Sequence, residues 1–221
     1  MAGQTMTYAE LKSNIASYLN RSDLTDVIDS FIDSTEAEFN RRLRLKGMIK
    51  RATATLTGQY LAVPTDWLEA INIQIDSGDF SPLFQQSIES MDVYRKANDN
   101  VTGQPIYFAL VDDSIEFAPT PDGSYTVQLT YYGKIDALSD SNTSNFLSTG
   151  YPDAYLYGSL KHASIYLMED ERVPLFTAQF EKALEEMRLE QEKAEFGKGS
   201  LMQRRRTYGK RSKNIYYFGN N

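Results

Sequence analysis

Apolar residues recur every three or four positions between Tyr8 and Leu43, every second position from Met48 to Tyr131, and every third or fourth again from Leu156 onward. These two periods mark amphipathic helices and half-buried strands. Thr7-Tyr-Ala-Glu10 has the spacing of a capping box, so a first helix runs from about Tyr8 to Asn20, with Leu11, Ile15, Tyr18 and Leu19 on its inner stripe. After a turn at Arg21 and Ser22, Asp23 is placed to cap a second helix, whose Val27, Ile28, Phe31, Ile32, Thr35, Phe39 and Leu43 share one face. Its acids come early (Asp26, Asp29, Asp33) and its bases late (Arg41, Arg42, Arg44, Lys46), as the helix dipole favours, and Gly47 supplies the stop.

The middle of the chain reads as strands. Met48 to Thr57 is rich in Thr and Ala, Tyr60 to Val63 leads into the Pro64-Thr-Asp turn, and Ile71, Ile73 and Ile75 alternate with polar residues. Ser87 to Ala97 reads as one short helix with a serine cap. A meander follows: Ile106, Phe108 and Leu110; a turn at Asp112-Asp113; Ile115 and Phe117; a turn at Pro121-Asp-Gly123; then Tyr125, Val127, Leu129 and Tyr131. This predicts an antiparallel β module with one wet face.

Gly133 to Thr149 reads as a loop pinned by Phe146 and Leu147. Pro152 suits a first helical position, and Leu156, Leu160, Ala163 and Leu167 make a stripe. Pro174 opens a last helix of about 36 Å, with Phe176, Phe180, Ala183, Leu184, Met187 and Ala194 inside and Arg188 pairing with Glu185 and Glu192 outside, until Gly197 ends it. The expected class is α+β: a bundle of about four helices with an inserted antiparallel β module and an extended C-terminal arm. Its units are N-terminal helices over 1–47, the β module over 48–133, a loop and C-terminal helices over 134–196, and the arm over 197–221.

Charge separates that arm from the rest. It holds seven basic residues and no acidic one, whereas residues 1–196 carry 16 basic against 30 acidic. Such block asymmetry reads either as an arm that works on something outside its own domain, nucleic acid or an acidic protein surface, or as a disordered, solvated chain end. The absence of cysteine excludes a disulfide scaffold and a thiolate site and fits a reducing cytoplasm. The start of the chain lacks a signal-peptide pattern, and no run approaches the ~20 apolar residues of a membrane span.

Nothing in the chain reads as a catalytic, cofactor or metal site. The one histidine, His162, has no partner at metal-ligand spacing, and Gly58, Gly78, Gly103 and Gly123 stand singly at turns rather than in a phosphate-cradling motif. Asp112-Asp113 is a hairpin turn before it is a cation site. The Glu181 to Glu195 acids, interleaved with Lys182, Arg188 and Lys193, describe a solvated face. The cluster Arg41 to Lys46 complements its own helix end.

The whole order resembles the head-to-tail adaptor proteins of tailed bacteriophages, the connector or tail-tubular family that sits beneath the portal ring. The resemblance covers Thr7 to Tyr208. Its carriers are Thr7-Tyr-Ala-Glu-Leu11, Glu38-Phe39-Asn-Arg-Arg-Leu43, Tyr60-Leu-Ala-Val-Pro-Thr-Asp-Trp-Leu68, Gly103-Gln-Pro-Ile-Tyr-Phe108 with Phe117-Ala-Pro-Thr-Pro121, and Tyr151-Pro-Asp-Ala-Tyr-Leu-Tyr-Gly158. It implies a homo-oligomeric ring, typically of twelve copies in that family, located in the virion at the head-tail junction after assembly in the host cytoplasm. The ring's partners would be the portal protein and a downstream tail or nozzle protein, with DNA passing through its channel without specific binding and no membrane involved.

It also implies a portal-docking arm. Arg204, Arg205 and Arg206 are suited to acidic portal side chains, with Tyr208, Lys210, Arg211 and Lys213 extending the basic run. Ile215, Tyr216, Tyr217 and Phe218 are suited to strand addition or to an apolar pocket. The competing reading is a cytoplasmic nucleic-acid-binding protein whose arm grips phosphates while its aromatics stack on bases.

Overall fold

The computed structural model describes residues 5–76, 81–169 and 171–195. Among them it is a mixed α+β chain with six α-helices and two β-sheets. Two helices come first, α1 (Tyr8–Leu19) and α2 (Thr25–Arg42). The strands β1 (Ile49–Leu56), β2 (Tyr60–Ala62), β3 (Trp67–Ile75), β4 (Ser81–Pro82) and β5 (Phe84–Gln85) lead to helix α3 (Ile88–Ala97). Then come β6 (Tyr107–Val111), β7 (Ser114–Ala118) and β8 (Tyr125–Gly133), followed by α4 (Phe146–Gly150), α5 (Pro152–Tyr166) and α6 (Val173–Glu195).

The long helices α1, α2, α5 and α6 share one apolar core, which includes Leu11, Ile15, Ile32, Phe39, Leu160 and Phe180. Helix α5 lies at its centre, touching the other three. Small side chains make this possible: Ala154, Gly158, Ser159, Ala163 and Ser164 are all buried, so the neighbouring helices approach closely. The α1 capping box forms as its sequence predicts, with Thr7 and Glu10 each accepting from the other's backbone N–H. Tyr18, expected on the inner stripe, is exposed.

Two boundaries of α2 differ from expectation. Asp23 does not cap it; Leu24 is the cap residue, and the Asp23 carboxylate is taken by the Arg21 guanidinium at 2.9 and 2.6 Å. Gly47 does not stop it either. The helix ends at Arg42 because Leu43 turns extended, so that Leu43 and Leu45 both enter the core, and Gly47 sits in a short 3-10 turn at Lys46–Met48. Its need for glycine is steric: a Cβ there would stand 2.7 Å from the Phe146 ring.

The β region is two sheets rather than one meander, in the orders β1-β8-β3-β4 and β2-β7-β6-β5. Leu56, Ile73, Ile75, Val127 and Leu129 of the first pack against Phe108, Ile115 and Phe117 of the second. The hairpin β6-β7 forms as expected, with Asp112 in the left-handed region at its turn. Strand β8 leaves it for the first sheet, where its nine residues can pair with both β1 and β3. The module is not wholly antiparallel, since β5 runs parallel to β6. Ile71 does not share the inward face of Ile73 and Ile75, because the register with β8 shifts between Ala70 and Asn72 and turns it outward.

The segment predicted as a loop over 133–149 contains α4, capped by Asn145, with Leu147 buried as expected. On α6, Phe176, Phe180, Ala183, Leu184 and Met187 are buried as predicted, while Ala194 lies beyond the described side chains. Arg188 donates to the Arg42 carbonyl oxygen at 3.5 Å, and among the described residues it forms no ion pair with Glu185 or Glu192.

Candidate functional site

The predicted arm residues, Arg204, Arg205, Arg206, Tyr208, Lys210, Arg211, Lys213, Ile215, Tyr216, Tyr217 and Phe218, lie outside the described residues. What the structure does describe is the arm's root. The Lys46 N–H donates to Gln191 Oε1 at 3.0 Å, and the Tyr151 hydroxyl donates to Glu190 Oε2 at 2.7 Å. The last turns of α6 are thereby held against the turn that precedes β1 and against the start of α5.

Beneath that root lies an ionic cluster joining α2, α5 and α6. The Arg42 guanidinium reaches Glu38 at 2.8 Å and Glu181 at 2.7 and 2.5 Å, and the Lys161 ammonium donates to Glu38 from 4.4 Å above the centre of the Phe180 ring. Burial alone would raise the Glu38 carboxyl, but the hydrogen bonds from Lys161 and Arg42 outweigh it and hold Glu38 low. His162 Nε2 lies 3.5 Å from Glu38 Oε2, and burial together with the Lys161 charge pushes the imidazole below its usual range despite that carboxylate. This is the setting of a packed histidine, with cations rather than further ligands around it. Among the described residues no group of His, Cys, Asp or Glu is placed to hold a metal ion.

A second buried carboxyl, Glu36, was not predicted. It accepts from the Leu138 N–H at 2.8 Å and from the Tyr155 hydroxyl at 3.0 Å, and Asn145 donates to that hydroxyl at 2.7 Å. Burial raises Glu36 against those two hydrogen bonds. It could have been found from spacing, since it continues the four-residue step Ile28, Ile32 on the inner face of α2.

Acidity also gathers at the surface near Tyr8. Burial and then Asp29, Asp33 and Asp140 raise the Tyr8 hydroxyl, and the Lys12 ammonium meets Asp29 at 3.0 Å. Large exposed apolar side chains occur on both the helical and the β parts. On the helical side they are Tyr18, Ile165, Tyr166, Leu175 and Met168, the last 86% exposed with φ 57°. On the β side they include Phe84 on β5, whose N–H donates to the carbonyl of the exposed Ile106. The body is thus built around structural polar clusters, with its large exposed apolar side chains spread over helices and strands.

A family model described as SU10 adaptor protein matches residues 6–207. The chain belongs to that family of phage adaptors. The match spans both helical parts, the β module and the beginning of the arm, and it agrees with the head-to-tail adaptor resemblance carried by the sequence. No curated protein matches the adaptor. The role of the family is structural rather than enzymatic, and a phage structural component belongs in the virion. Among the described residues no helix is long and apolar enough to cross a membrane.

Proposed function

We propose that the adaptor forms a ring beneath the portal, in the family's manner of twelve copies, linking the capsid to the tail and lining the channel through which DNA leaves. The family match over residues 6–207 carries this reading. Within it the four long helices act as one bundle, the β module inserted between its halves faces neighbouring subunits or the next tail component, and the arm grips the portal. Arg204 to Arg206 would pair with portal carboxylates, and Ile215 to Phe218 would be buried on docking. The arm's firmly held root supports this role, because the force of a docked arm passes directly into α5 and the α2–β1 turn. The acidic body suits a passage for DNA, since carboxylates such as Asp33 and Asp140 repel phosphates instead of binding them.

The native mass of the full chain and of a chain ending at residue 196, each alone and mixed with the portal of the same phage, tests the proposal. A ring that joins the portal only when the arm is present supports both ring and arm. Failure of the full chain to join the portal, combined with DNA binding that weakens steeply as salt rises, would overturn it in favour of a nucleic-acid-binding protein.

A further inference from the structure

We propose that neighbouring copies meet edge to edge, with β1 of one copy lying along β3 of the next so that the first sheet continues from subunit to subunit. This rests on the ring reading above. A closed ring needs a heterologous contact, in which one chain presents two unlike and complementary surfaces. The first sheet supplies two such edges. β1 ends the strand order, and among the described residues β4 pairs with β3 only at Gln74 and Ile75, with the Leu83 N–H donating to the Ile73 carbonyl just beyond. Among the described residues, Trp67 to Asn72 therefore has β8 on one side and no strand on the other.

An edge strand carries a row of unpaired N–H and C=O groups, which isolated proteins defend with prolines, bulges or charges. β1 is poorly defended, whereas β3 carries two register shifts with β8, between Trp67 and Glu69 and between Ala70 and Asn72. The register of β1 with β8 runs without a shift from Ile49 to Leu56, and Ala52 to Leu56 contains neither proline nor charge. Both β1 and β3 are antiparallel to β8, so they run the same way, and a rotation about a ring axis sets one parallel to the other without inversion.

The side chains complement each other as well. Between the edges the outer face is uncharged, with Thr53, Thr55, Thr126, Gln128, Thr130 and Gln74 in cross-strand rows. Each edge departs from it by one exposed isoleucine and one charge: Ile49 (41% exposed) with Arg51 on β1, and Ile71 (44% exposed) with Glu69 on β3. Among the described residues Arg51 makes no ion pair; Glu69 takes Arg44 at 2.8 Å and is still 58% exposed. Ile49 and Glu69 both oppose Tyr132, and Arg51 and Asn72 both oppose Thr130, so the two sets lie at one height on the sheet. An in-register junction then puts Arg51 diagonal to Glu69 of the neighbour, within the ~7–8 Å that long side chains span, and Ile49 beside Ile71.

The chain has no cysteine, so an engineered disulfide reads the junction cleanly. Across an in-register junction positions 51 and 72 stand directly opposite each other, within disulfide reach, whereas within one copy they are two strand spacings apart, roughly 10 Å, beyond the ~7 Å limit. Arg51→Cys with Asn72→Cys, assembled with or without the portal and then oxidised, should give a ladder of covalent species on a denaturing gel, while each single variant stays monomeric there. Arg51→Glu should lose assembly while keeping its circular dichroism, and adding Glu69→Lys should restore it. A ring that forms but gives no ladder overturns the junction and leaves the ring reading standing. If wild-type protein forms no ring, alone or with the portal, the ring reading falls and takes the junction with it.

Discussion

Gly158 on α5 lies directly against Thr35 on α2: a Cβ at position 158 would drive into the Thr35 methyl and stand 2.9 Å from the Phe180 ring. Thr35 cannot yield, because its hydroxyl donates to the Phe31 carbonyl at 2.8 Å inside the core. Gly158→Ala should therefore cost about 1–3 kcal/mol through overpacking, despite alanine's better helix propensity. Its thermal midpoint should fall by ~2–4 °C per kcal/mol. Adding Thr35→Ser removes one of the two obstacles and should recover part of the loss, whereas an unchanged midpoint in Gly158→Ala would show that the helices have room to part.

Glu38 neutralises cations from two helices, so its removal strands them. Glu38→Ala leaves Lys161 buried with only the Phe180 ring, and the expected cost is about 3–5 kcal/mol in urea unfolding. Acid should act in the same direction. A carboxyl held low in the fold contributes stability above its unfolded range, and that stability is lost as pH falls through the folded value. Wild-type stability should thus drop between pH ~6 and ~3, and Glu38→Gln should flatten part of that drop. His162, also held low, has the same sign at higher pH.

Glu36 has the opposite sign. Its folded value is raised, so its favourable contribution is present below the ordinary carboxylate range and disappears as pH rises through the raised value. Glu36→Gln keeps an acceptor for Leu138 and Tyr155 without a buried charge. The variant should match wild type near pH ~4 and become progressively more stable above it. A constant offset across that range, measured by urea midpoints, would assign the effect to packing alone.

What was legible in the chain was local. The Thr7 and Glu10 capping box, the Ser87 cap, Pro152 at its helix start and the β6-β7 turn each depend on residues within four positions, and each appears where its pattern puts it. The partners of β8 were not legible, because strand choice is settled by pairing with residues far away in sequence. Gly47 was misread for a related reason: the Phe146 ring that requires a glycine comes from the other end of the core. The run Ala154, Gly158, Ser159, Ala163 and Ser164 did signal a central helix, although a search for an apolar stripe passes over it. The arm stood out by charge alone, and charge names no partner.

Helix α3 is tied to the second sheet by an ion pair as well as by a small apolar cluster. Arg95 donates to Glu116 on β7 and, at 3.0 Å, to the Phe117 carbonyl, while Gln59 donates to the same Glu116 at 2.9 Å. Met91, packed with Ala109 and Ala118, is the helix's one buried hydrophobic residue, and Tyr94 meets the Tyr107 ring edge-on at 5.1 Å, so apolar contact rests on these few side chains. Glu116→Gln should cost about 3–5 kcal/mol by leaving Arg95 charged and enclosed. Arg95→Met with Glu116→Gln removes the stranded charge while preserving a partner for Gln59, and should regain most of that loss. Hydrogen exchange locates the effect: in the single variant the α3 amides should exchange faster than those of β8, and in the double variant protection should return. Equal loosening of α3 and β8 would mean that the pair supports the whole β module rather than anchoring one helix to it.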